Sequence, residues 1–123
     1  MACRSLVHHQ RWNRSEAYKD ATAIVLGKLD EPNRIQQGFD YKYRFKNIET
    51  TWKLKVDALD FILDHSTCSK YMTPFPASQP VIAYFKQDKK GWQLLRIVPF
   101  DSDSESTETT IESELQFLKS GTH

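Results

Sequence analysis

The sequence predicts a mainly β fold: a small five-stranded barrel with a C-terminal α-helix packed on it and a short helical turn before the first strand. Three observations predict it. Short apolar or alternating runs, rich in β-branched and aromatic residues, recur between residues 21 and 98 and are separated by turn-forming stretches. One long run, from Phe39 to Trp52, changes the phase of its alternation part-way, as a strand must when it bends to serve both halves of a barrel. Helical spacing that continues for several turns is confined to the end of the chain. At 123 residues there is material for one domain, residues 1–123, around one core.

The elements follow in order. Residues from Asn13 to Lys19 predict a helical turn, with Asn13 or Ser15 as its N-cap. Ala21 to Leu29 is short, apolar and β-branched, and predicts a buried strand. Asp30 to Gly38 is a loop built on Pro32, Asn33 and Gly38. Phe39, Tyr41, Tyr43 and Phe45 then alternate with Asp40, Lys42, Arg44 and Lys46, so the aromatics are expected inside and the charges outside. Beyond Lys46 the apolar positions become Ile48 and Trp52, which places a bulge or sharp bend near Asn47.

Ala58 to Asp64 alternates again, with Leu59, Phe61 and Leu63 on one face and Asp60, Ile62 and Asp64 on the other. Thr73 to Pro80 is excluded from regular structure by prolines that lack a donor. Val81 to Phe85 and Trp92 to Val98 form a strand pair about the turn Gln87 to Gly91, the second ended by Pro99. Five strands closing on a bend give an OB-type β-barrel. Asp101 to Ser106 is an acidic, serine-rich approach to a helix. Thr109 and Glu112 have capping-box spacing, and Ile111, Leu115 and Leu118 share one helical face that ends near Gly121.

Composition narrows the function classes. A formal net charge of +1 supplies no overall field toward nucleic acid or an anionic membrane. The sequence holds no apolar run long enough to span a bilayer as a helix. His8, His9 and His65 are the candidate metal ligands, but adjacent histidines on a strand face opposite ways and no zinc spacing accompanies them. Neither a metal nor a cofactor is expected, and with four glycines there is no glycine-rich phosphate loop.

Cys68 with His65 is a conceivable nucleophilic dyad, and Asp57, Asp60 and Asp64 conceivable acid–base groups. The residues read more simply as a loop cysteine and the solvated side of a strand, so no catalytic residue is assigned. Lys42, Arg44, Lys46, Lys53 and Lys55 make a basic stripe, yet the aromatics that would stack bases fall on the opposite face, so no nucleic-acid partner is expected.

Cys3 and Cys68 are the two cysteines. A bond between them would pin the N-terminus to the middle of the chain and stabilise the fold by about 4 kcal/mol in the loop-entropy account. It would also place the protein in an oxidising compartment, secreted or periplasmic, after removal of a signal peptide that this sequence does not carry. Two reduced thiols in a cytosolic protein are the competing reading.

Several segments together resemble the inhibitory module of the tissue inhibitors of metalloproteinases, the netrin-type OB fold, and more closely its bacterial relatives. They are the early Cys3; the stretch Ser15 to Lys28, a small turn running into an apolar strand that ends Gly27-Lys28; the aromatic strand ending Thr51-Trp52-Lys53; the loop Ser66-Thr67-Cys68-Ser69; and the closing pair Val81 to Phe85 and Trp92 to Val98. The resemblance implies a Cys3–Cys68 disulfide and a protein-binding edge of Cys3, Arg4, Ser5, Thr67, Cys68 and Ser69. It also implies a metalloprotease as partner, whose catalytic zinc the leading cysteine's α-amine and carbonyl would chelate.

The chain departs from the animal inhibitors in having Arg4 and Ser5 where they continue Cys-x-Cys, and in carrying Met1-Ala2 before Cys3. The expectation is an exported, non-enzymatic binding module with a protein partner. The alternatives are a cystatin-like α+β domain that binds or hydrolyses a small ligand in a deep apolar pocket, and an OB-fold nucleic-acid binder.

Overall fold

A computed structural model of the chain describes residues 14–65, 74–100 and 110–120. Helix α1 (Arg14–Asp20) is followed by β1 (Ala23–Leu29), the two-residue β2 (Asn33–Arg34), β3 (Asp40–Trp52), β4 (Asp60–Asp64), β5 (Pro80–Asp88), β6 (Gly91–Val98) and helix α2 (Ile111–Ser120). The sheet runs β1-β5-β6-β4-β3, and a second pairing, β3 with β1, closes it into a barrel. Every pairing is antiparallel except β4 with β6, which meet in parallel at Phe61 and Trp92. With short β2 set aside, the first strand neighbours the second and fourth, and the third neighbours the fifth. This is the predicted OB-type order.

The bend of β3 lies where the alternation changes phase. Against β1, Leu26 faces Thr50 but Gly27 faces Ile48, and Lys28 faces Asn47 but Leu29 faces Phe45. One residue is therefore bulged on each side of Asn47, and Phe45 and Ile48 both turn toward the interior cluster. Gly27 makes this possible. A Cβ there would stand 2.1 Å from the Asn47 carbonyl oxygen, so only glycine lets the two backbones approach.

The barrel interior is filled. Val25 and Leu29, Tyr43 and Phe45, Leu59, Phe61 and Leu63, Val81, Ala83 and Phe85, and Leu94 and Ile97 form one buried cluster, closed at one end by Phe75. Tyr43 stacks on Phe61 at 5.1 Å, and Phe61 lies 5.0 Å from Phe85. The β4 alternation is as expected, Leu59, Phe61 and Leu63 being buried and Ile62 exposed. Phe39 corrects the expectation: its ring is 61% exposed. It precedes the last paired residues of the β3–β4 ladder, Asp40 and Asp64, so the alternation carries it past the packed interior.

A second core lies outside the barrel. Ile24, Ile82, Tyr84, Leu95 and Val98 point outward from β1, β5 and β6 and are covered by Ala17 of α1 and Leu118 of α2. This double coverage explains why Val81 to Phe85 is apolar throughout: odd positions fill the barrel and even positions meet the helices.

Lys53, in the left-handed region at φ 71°, donates to the Tyr18 and Ala21 carbonyls at the end of α1 and lies 4.5 Å from the Tyr18 ring centroid. The helix start differs from the expectation by one residue. Thr110 Oγ1 accepts the Ser113 N–H at 3.1 Å and Ser113 Oγ accepts the Thr110 N–H at 3.4 Å, so Thr110 and Ser113 form a box; the expected cap, Thr109, lies outside the described residues. Ser15 lies inside α1 and is not its cap.

Smaller adjustments complete the comparison. Pro80 is the first residue of β5, a position where a missing donor is tolerated. The β5–β6 turn narrows to Lys89-Lys90, and a two-residue strand interrupts the Asp30 to Gly38 loop.

The docking of α2 centres on a buried charge. Glu114 and Arg96 are both completely buried. Glu114 Oε1 accepts from Arg96 Nη2 at 2.9 Å, and Oε2 accepts from the Tyr84 hydroxyl at 2.6 Å. Arg14 Nε of α1 approaches the same Oε2 at 3.1 Å, while its Nη2 donates to Ser113 Oγ at 3.2 Å.

Candidate protein-binding face

The predicted edge, Cys3, Arg4, Ser5, Thr67, Cys68 and Ser69, lies outside the described residues, and so does the Cys3–Cys68 pairing. His65 follows β4, and its N–H donates to the Phe39 carbonyl at 2.9 Å.

His65 itself is buried, with the rings of Tyr41, Tyr43 and Phe75 around it at centroid distances of 5.3, 5.7 and 5.4 Å. The Tyr43 hydroxyl accepts the Phe75 N–H at 2.9 Å and sits 2.6 Å from His65 Nε2. Donation of the phenol proton to Nε2 gives that hydroxyl its acceptor and leaves the imidazole proton on Nδ1. Nε2 is thus engaged within the core. Burial pushes the Tyr43 phenol up to about 12, against the lowering effect of the Phe75 hydrogen bond.

The barrel is covered unevenly. Both helices lie on the outer side of β1, β5 and β6, while among the described residues the outward Lys42 and Arg44 of β3 and Ile62 of β4 are exposed. Along this exposed face Lys42 is paired across the ladder with Ile62, and Arg44 with Asp60. Arg44 grips Asp60 with two bonds, Nε to Oδ1 at 2.9 Å and Nη2 to Oδ2 at 3.1 Å, and Lys42 Nζ lies 3.9 Å from the same carboxylate. The Arg44 hydrogen bond holds the Asp60 carboxyl below the usual carboxylate range, and Asp60 in turn raises Arg44.

Beside these satisfied charges Ile62 is 57% exposed; Phe39, also exposed, immediately precedes β3. Two grooves lie along β3. One, of about 190 Å³, runs between Asp30, Glu31 and Asn33 and the strand at Lys42 and Arg44. The other, of about 300 Å³, runs between the bend at Lys46 to Thr51 and the segment Lys55 to Asp57.

These features suit contact with a surface better than enclosure of a small molecule. The interior that a cystatin-like pocket would need is filled by side chains, and the grooves are lined largely by charged and amide groups. The outward positions of β3 and β4 between residues 40 and 44 and residues 60 and 64 are Asp40, Lys42, Arg44, Asp60, Ile62 and Asp64. Among the described residues no three His, Cys, Asp or Glu side chains are grouped to hold a metal ion, and no helix is long and apolar enough to cross a membrane.

Sequence reasoning missed the buried Glu114–Arg96 pair. Its signal was present: Arg96 interrupts the apolar run Leu94 to Val98, and Glu114 stands on the same helical stripe as Ile111, Leu115 and Leu118. Compared with family models, with curated proteins and with solved structures, the chain matches none.

Proposed function

We propose that this chain is a non-enzymatic, exported binding module that engages a protein partner through the outward face of β3 and β4 and, as the resemblance implies, the edge of Cys3 and Cys68. The observation that carries the reading is the uneven covering among the described residues: both helices lie on one side, and the other keeps Ile62 in solvent beside charges that already satisfy one another. An apolar centre in a polar surround is the composition of a protein-contact patch.

The metalloprotease as partner rests on the resemblance of the sequence to the inhibitor family. In that reading Cys3 would be the leading residue presented to the protease zinc. Inhibition would require an unacylated α-amine, since an amide nitrogen is a poor zinc ligand. Titrating a form that begins at Cys3, and the form that begins Met1-Ala2-Cys3, against a panel of zinc proteases tests it. Inhibition by the Cys3-first form alone supports the protease reading. Inhibition by neither removes that reading and leaves the binding face to be tested by itself.

A further inference from the structure

The terminal helix is attached differently from the rest of the fold. The barrel strands hold one another by backbone ladders and a continuous apolar interior. Helix α2 has ten residues, too few to be stable alone in water, so it exists only while docked. It commits two side chains to full burial, Leu118 and Glu114, with Ile111, Leu115 and Phe117 partly covered. Glu114 contacts Tyr84, Arg96 and Arg14, so three elements converge on a single residue of α2.

A buried ion cluster of this kind is strong only when complete. Taking out the carboxylate removes a charged partner from the buried Arg96 guanidinium, whereas lifting the whole helix returns the Glu114 charge to water. The apolar area lost on lifting is that of a single helical face.

We infer that α2 is a latched strap: it undocks and unfolds as a unit while the barrel stays folded, and Glu114 is the latch. Opening uncovers the outer side of β5 and β6, with Arg96 between Tyr84, Leu95 and Val98. Regions held by few buried groups open at lower free energy than the core, and amide exchange resolves such openings separately from global unfolding.

Hydrogen–deuterium exchange of the full chain under native conditions, read by peptide, tests this. Amides of 111–120 should exchange at least about tenfold faster than those of β5 after correction for intrinsic rates. Glu114→Gln should speed exchange of α2 by about a hundredfold while β1 and β5 remain as protected as before. Should that variant fail to fold, Leu118→Ala provides the same comparison through packing alone, and should also loosen α2 selectively. Equal protection of α2 and β5 in the unaltered chain, or loss of protection in α2 and β5 together on substitution, overturns the inference, because α2 would then be an integral part of one cooperative unit.

Discussion

The Tyr84 hydroxyl on β5 donates a 2.6 Å hydrogen bond to the Glu114 carboxylate on α2, joining the outer wall of the barrel to its terminal helix inside the core. Burial first, and the neighbouring Glu114 charge second, push the Tyr84 phenol far above its ordinary range, so it stays a donor. Tyr84→Phe keeps the ring and removes one bond to a charged acceptor. The expected loss in a urea melt is about 1.5–3 kcal/mol.

Gly27 is the point where β1 crosses the bulged part of β3. Gly27→Ala sets a methyl group 2.1 Å from the Asn47 carbonyl oxygen, and backbone cannot move aside as a side chain would. Destabilisation of at least about 1–3 kcal/mol is expected in chemical denaturation. Gly38→Ala is the control: its nearest neighbour would be the Ile35 carbonyl oxygen at 3.8 Å, an ordinary contact, and the midpoint should barely move.

Tyr43 makes stability depend on alkaline pH. Its phenol is pushed up to about 12 in the folded chain and ionises near about 10 when unfolded. Between those values the unfolded state releases a proton that the folded state keeps, so the Tyr43 contribution is complete below about pH 10 and is lost as pH rises toward 12. Melts across this window should show the decline, and Tyr43→Phe should flatten the part due to this residue. That variant should also be about 1–3 kcal/mol less stable at neutral pH, since it loses the bonds to His65 and to the Phe75 N–H.

Neighbouring residues on β3 should behave oppositely. Phe45 is buried against Phe61 and Phe85, and Phe45→Ala should cost about 3–5 kcal/mol. Arg44→Ala removes an exposed ion pair with Asp60 and should cost a small fraction of that loss. Comparable losses in parallel urea melts would contradict the assignment of faces.

Much of the fold was legible because alternation and burial coincide in its middle. Tyr43, Phe45, Leu59, Phe61 and Leu63 point where period two places them, and the phase change marked the bend. Parity carries no information about where the packed interior stops, which is why Phe39 was expected inside. The capping spacing fits both Thr109 with Glu112 and Thr110 with Ser113, and local sequence does not choose between them. Glu114 escaped notice because a carboxylate on an apolar stripe reads as an interruption until its partner is known, and Arg96 is supplied by a strand earlier in the chain. Which side of the barrel the two described helices cover could not be read at all, because it depends on tertiary packing.

That uneven covering is the central claim, and site-directed photo-cross-linking tests it most directly. A photoreactive residue is placed at Ile62, at Phe39 and, as control, at the exposed Gln93 of β6, and each form is irradiated in whole extracts and culture medium of its source. The account predicts that the probes at 62 and 39 capture the same protein, that Ile62→Asp in the Phe39-labelled form abolishes the adduct, and that the probe at 93 captures nothing above background. Adducts at 93 with none at 62 and 39 would contradict it, and place the interaction on the side of the barrel away from β3 and β4.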